Sequence, residues 1–119
     1  MNKNPQIVNL TYLNDMSGGN KEIMNEMISI FISQVSEFAT EMKQLNNNKE
    51  YLKLGNLAHK AKSSISIMGM ENLATELKKF ELQAKAEKDV DKYDKFIDHF
   101  KELCNLAIDE LKEIHEEMK

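Results

Sequence analysis

Arginine is absent from this 119-residue chain: all sixteen basic residues are Lys, against twenty Asp and Glu, for a formal net charge of −4. Without guanidinium forks or a basic excess there is no bidentate-capable surface for nucleic acid, so that function class is set aside. Cysteine occurs once, at Cys104, which excludes an internal disulfide framework and fits a reducing compartment. One Pro and four Gly leave few places to break a helix. No apolar stretch approaches a membrane span, and Met1 to Leu10 lacks an apolar core followed by a cleavage site, so a cytoplasmic protein is expected. A Gly-rich phosphate loop and an ATP-binding motif are missing too.

What is present is helix-forming. Hydrophobic residues make up 41% and charged residues 30%, an ordinary balance for one globular domain spanning 1–119, too short for two cores. Ile7 to Met16 reads as a short helix closed by Ser17-Gly18-Gly19. Asn20 suits an N-cap, with Glu22 in the first turn. From there to about Leu45, Met24, Met27, Ile28, Phe31, Val35, Phe38, Met42 and Leu45 recur at three- and four-residue steps, one face of a long helix.

Asn46-Asn47-Asn48 marks a turn, and the next helix is expected from about Lys49 to Ile67, before Gly69. A fourth runs from Met70 to about Lys85, with Met70, Leu73, Ala74, Leu77 and Ala84 on its inner stripe and Glu81 among them. Asp89 or Asp91 is the candidate cap of the last helix, whose seam reads Tyr93, Phe96, Ile97, Phe100, Cys104, Ala107, Leu111, Ile114 and Met118. Four long amphipathic helices with short loops and a small helix in front predict an all-α antiparallel four-helix bundle. A monomer is expected if the helices close their own core.

On a helical wheel, Leu54, Leu57, Ala58, Ala61, Ile65 and Met68 of the third helix share one side and His59 falls nearly opposite their centre. One turn away lie Gly55, Lys62 and Ser63, with Ser66 beyond. A neutral imidazole nitrogen is a competent nucleophile, and phosphoryl transfer asks mainly for in-line access and nearby positive charge, which Lys62 could supply. Small residues at i−4 and i+4 would let another protein close over the ring. A surface histidine without a role is the competing reading of His59 taken alone.

The run Leu57-Ala58-His59-Lys60-Ala61-Lys62-Ser63-Ser64, then Met68-Gly69, Leu73, Leu77 and Phe80-Glu81, resembles the histidine phosphotransfer (HPt) family signature, roughly AH-x-x-KGS with a later glycine and a closing LE. The resemblance implies a phosphorelay carrier rather than an enzyme, with no cofactor of its own, any Mg²⁺ belonging to the receiver. It implies response-regulator receiver domains and a hybrid sensor kinase as partners. His59 would be the phosphoacceptor, Lys62 would steady the phosphoryl group, and Gly69 would allow the sharp passage into the next helix. Ser63 departs from the family glycine at i+4, which puts the tightest approach of a partner backbone in doubt, whereas Ser64 matches a small family position.

Glu81, a carboxylate on an inner stripe, is costly without a partner. In the family a polar residue at this offset can hydrogen-bond the histidine's other nitrogen. Glu81 therefore either accepts from Nδ1–H of His59 and fixes the tautomer that frees Nε2, or pairs with a lysine such as Lys62, or reaches water. Leu13, Met16, Ile23, Met27 and Ile30 form a candidate apolar patch where the family's receivers dock, unless the short helix simply covers that strip.

The rivals are a non-phosphorylated helical scaffold of the same fold, favoured by Ser63, and a metal- or haem-binding bundle. His99 and His115 lie off or at the edge of their helix's seam and no Glu-x-x-His pair occurs, so no metal site is expected. Cys104, on the seam, reads as a small buried hydrophobe.

Overall fold

The computed structural model describes the backbone of residues 7–117 and the side chains of residues 7–114. The expectations for His115 and Met118 lie outside the described side chains. Among the described residues five α-helices run in order: α1 (Thr11–Ser17), α2 (Lys21–Asn47), α3 (Tyr51–Ile67), α4 (Glu71–Lys85) and α5 (Tyr93–Glu117), the last entered through a 3₁₀ turn at Val90–Lys92. Among the described residues there is no strand, and the protein is all-α, as expected. Its extents of 44 × 28 × 20 Å match a bundle about as long as α2.

The helices form where the apolar periodicity places them. The buried faces are Met24, Ile28, Phe31, Val35, Phe38, Ala39 and Met42 on α2, Leu54, Leu57, Ala58, Ala61 and Ile65 on α3, and Leu73, Ala74, Leu77, Phe80 and Ala84 on α4. Tyr93, Ile97, Phe100, Cys104, Ala107 and Leu111 of α5 complete one continuous core. Each large side chain so buried contributes about 1.5–3 kcal/mol. Burial therefore outweighs intrinsic propensity in holding the bundle. Met27, Leu45, Phe96 and Ile114 are only half-buried and line the edges of that core.

α2 packs against both α3 and α5, and α3 against α4. α4 and α5 meet through aromatic side chains. Phe80 stacks on Phe96 at 4.4 Å between centroids and meets Tyr93 edge-on at 5.2 Å. The buried Tyr93 hydroxyl donates to the Gln83 carbonyl at 2.8 Å, so its polar end is satisfied.

The ends of the elements are set by local chemistry. Asn20 Oδ1 accepts from the Ile23 N–H at 3.1 Å, the expected N-cap of α2. Gly18, at φ 64°, closes α1. α1 itself starts later than the sequence suggests, at Thr11 instead of Ile7. The N–H groups of Ile7 and Val8 donate to the Glu110 carboxylate (2.8 and 3.1 Å) and that of Asn9 to the Met68 carbonyl (2.9 Å). These tertiary partners hold the segment out of the helix. Asn9 Oδ1 then accepts from the Thr11 N–H and opens α1. At the other junction neither Asp89 nor Asp91 caps α5: Asp89 has a left-handed backbone (φ 56°), and its carboxylate accepts from Gln83 Nε2.

Candidate functional site

His59 stands on the flank of α3 nearest α4. Its side chain is 64% exposed, while the Glu81 carboxylate beneath it is 4% exposed. Nδ1 lies 3.1 Å from Glu81 Oε1, hydrogen-bond distance. An ionised carboxylate only accepts, so in the neutral ring Nδ1 carries the hydrogen and the lone pair is at Nε2. Among the described residues Nε2 has no protein partner.

Glu81 is on the inner stripe of α4, as its sequence position suggests, and its charge is compensated by two lysines. Lys85, one turn on, donates to Oε2 at 2.8 Å, and Lys78, one turn back, approaches Oε1 at 3.7 Å. The Lys85 hydrogen bond, helped by His59 and Lys78, outweighs desolvation and holds the carboxyl at about 2, against 4.5 ordinarily. Two of the sequence alternatives therefore coexist: Glu81 meets the histidine and also pairs with lysine. The lysines are Lys85 and Lys78, not Lys62. The helical offsets i+4 and i−3 from Glu81 were the available signal for both.

Lys62, half-buried one turn after His59, has no hydrogen bond or ion pair among the described residues, so its ammonium is uncommitted. Ser63 is exposed at the next position. The Ser64 hydroxyl instead donates to Gln34 Oε1 at 3.0 Å, tying α3 to α2, a contact that periodicity alone does not disclose.

Two glycines shape the site. Gly69 adopts φ 73°, which permits the tight α3–α4 turn, and a Cβ there would run into the backbone of Asn9. Gly55 is buried, so it is not part of an open ridge as the wheel suggests. A Cβ on Gly55 would lie 2.7 Å from Lys85 Cγ and 3.0 Å from the Glu81 carbonyl oxygen. Its smallness serves the approach of α4, which brings Glu81 to His59, and is not available to a docking partner.

The candidate docking patch divides. Leu13 is fully buried, which corrects its assignment to a docking surface: with Ser17, one turn on, it forms the inner face of α1. Met16, Ile23 and Ile30 are exposed (52%, 43% and 56%), and Met27 is half-buried beside them. Met27 and Ile30 line a shallow groove with Phe31, Gln34, Ser63 and Ile67, on the side of α3 that faces α2.

Elsewhere, His99 is half-exposed and lies 3.3 Å from Glu76. Cys104 is buried, and desolvation pushes its thiol up to about 12, which makes it unreactive. Among the described residues no three His, Cys, Asp or Glu side chains converge on a metal-sized site, and no helix is long and apolar enough to cross a membrane.

No curated protein and no solved structure matches the chain. The family model of the Hpt domain matches residues 26–118, a span that holds most of α2, all of α3 and α4, and His59 with its carboxylate. With the all-helical bundle already in place, this match shows that the chain belongs to the Hpt domain family, a phosphotransfer-domain family of two-component signalling.

Proposed function

We propose that the chain, acting as one module, carries a phosphoryl group on His59 Nε2 between receiver-domain aspartates. The observation that carries this reading is the 3.1 Å contact of Nδ1 with a buried carboxylate beneath an imidazole that is 64% exposed. The Nε2 lone pair attacks the phosphorus of a phosphoaspartyl group in line. The N–P bond forms as the P–O bond to the aspartyl carboxylate breaks, and the donor carboxylate leaves with that electron pair. No proton need move: Nδ1 keeps its hydrogen, the ring becomes cationic, and Glu81 faces the new charge. Lys62 reaches toward the phosphoryl oxygens. Return transfer to a second aspartate reverses these steps, so the phosphohistidine is a stoichiometric intermediate and the protein a carrier.

The partners are receiver domains and the kinase that feeds them, and any divalent cation sits on the receiver side. Met16, Ile23, Met27 and Ile30 are the proposed receiver contacts. We place the protein in the cytoplasm as a monomer.

A scaffold that has kept the fold and lost the chemistry is the second reading, favoured by Ser63 where the family has glycine. Incubation with several phosphorylated receiver domains, followed by mass spectrometry and phosphorus NMR, separates the two. Acid-labile, base-stable phosphate on the wild type and none on His59→Gln is the expected result. Receiver binding without phosphate from any donor would transfer the assignment to the scaffold.

A further inference from the structure

We infer that Lys85 is a positioning residue that acts on His59 through Glu81: by taking one carboxylate oxygen, it lets the other accept from Nδ1–H while the imidazole stays neutral and nucleophilic. The inference deepens the proposed phosphoacceptor role of His59 and rests on it.

Glu81 is buried, and a buried carboxylate draws the nearest cation it can obtain. If His59 were its only neighbour, that cation would be the imidazolium. An imidazolium is protonated at both nitrogens and has no lone pair with which to attack phosphorus. Lys85, at 2.8 Å from Oε2, removes that demand, while Oε1 at 3.1 Å from Nδ1 still orients the ring. The two oxygens thus divide compensation and orientation between them. Lys78 is farther away, at 3.7 Å, and more exposed than Lys85, so it is the weaker of the two cations.

The position of Lys85 is built into the helix pair. Its stem crosses α3 over Gly55, one turn before His59, where a Cβ would press on Lys85 Cγ and on the Glu81 carbonyl. Gly55 thereby makes room for the lysine that meets Glu81. The other charges near the pair are few. α4 supplies Lys78 and Lys85, and α3 supplies Lys62 one turn beyond His59. Among the described residues no titratable side chain of α2 or α5 contacts either His59 or Glu81.

The consequence is a balance. With Lys85 present, His59 attacks as a neutral ring, and the phosphoimidazolium that results receives only part of the Glu81 charge, which keeps the phosphoryl group transferable. Without Lys85, Glu81 would favour a proton on the free ring and would hold the phosphorylated, cationic ring more tightly.

The test uses the full chain as wild type, Lys85→Met, Lys85→Arg, Glu81→Gln and Lys85→Met/Glu81→Gln. Methionine keeps an apolar stem over Gly55 and loses the charge. The NMR titration of the His59 imidazole is the primary readout, and the rate of phosphoryl acceptance from a phosphorylated receiver between about pH 6 and 9 is the second. In Lys85→Met the titration midpoint is expected to move to higher pH by about one unit. Acceptance at the acid end then falls several-fold, toward the tenfold that one unit allows, and recovers at the alkaline end. Lys85→Arg restores both. In the Glu81→Gln background, Lys85→Met moves the midpoint by less than half as much.

An unchanged midpoint in Lys85→Met would overturn the inference. So would a full-sized shift that persists in the Glu81→Gln background, since the lysine would then act directly on the ring. Gly55→Ala, which displaces the stem without removing the charge, is expected to give a smaller shift in the same direction. If no donor phosphorylates the protein, the phosphoacceptor reading fails by itself, while the titration still decides how Lys85 acts.

Discussion

The Asn9 N–H donates to the Met68 carbonyl at 2.9 Å, and this bond lays the segment before α1 across the turn that ends the histidine helix. Gly69, the next residue, makes that packing feasible because it has no Cβ to meet the Asn9 backbone. Gly18 has a similar positive φ, 64° against 73°, but open space around it. Gly18→Ala should therefore cost only the roughly 1–2 kcal/mol of a left-handed alanine. Gly69→Ala should cost clearly more, because the segment or the turn must also move. Urea unfolding of the two variants checks this, and equal losses would show that the Asn9 contact adds nothing.

Glu81 gives the protein an acid-sensitive element. Its carboxyl is held at about 2 in the fold, chiefly by Lys85, and titrates near 4.5 in the unfolded chain. A depressed folded value means that its stabilising contribution is complete above about 4.5 and is lost as pH falls from there through about 2. Stability measured by denaturant titration should drop over that interval in the wild type. The drop should be shallower in Glu81→Gln, which has no carboxyl to protonate. Parallel acid limbs in the two proteins would contradict the buried pairing.

The four long helices were legible because each has a continuous apolar stripe, and Asn20 could be read as a cap because its function is local. Apart from the cap expected at Asp89 or Asp91, undone by the left-handed backbone of Asp89, the failures are tertiary. Ile7, Val8 and Asn9 look like the start of a helix, yet their N–H groups are taken by Glu110 and Met68, remote in sequence. Gly55 looks like part of a bare ridge until α4 approaches it. That Glu81 needed a partner was legible from its place on an inner stripe. Which lysine answered depends on how α3 and α4 face each other, and a single helical wheel carries no such information.

Cys104 is a test of core integrity. Burial raises its thiol to about 12, so the nucleophilic thiolate is scarce and the sulfur inaccessible in the folded protein. Labelling by an aromatic disulfide reagent near pH 8 should run on the order of a thousandfold or more slower than in the denatured chain. Its rate should rise with denaturant in step with the loss of helix. Rapid labelling of the native protein would mean that the α2–α5 groove, which Cys104 lines, opens readily.

Leu13 and Ile30 separate packing from docking. Leu13 is fully buried under α1, whereas Ile30 is 56% exposed on α2 beside the groove that reaches Ser63. Leu13→Ala should destabilise the protein by about 2–5 kcal/mol, the ordinary cost of truncating a core leucine. Ile30→Glu should change stability by no more than about 0.5 kcal/mol, because its side chain already meets water. If receivers dock on this face, Ile30→Glu should nevertheless slow phosphoryl acceptance about tenfold or more, since it places a charge in an apolar contact. The His59 titration should stay unchanged in Ile30→Glu, which distinguishes lost docking from a disturbed imidazole. Acceptance at the wild-type rate by a stably folded Ile30→Glu would move the docking surface elsewhere, the depression lined by Tyr12, Lys62 and Ser66 being the next face to probe.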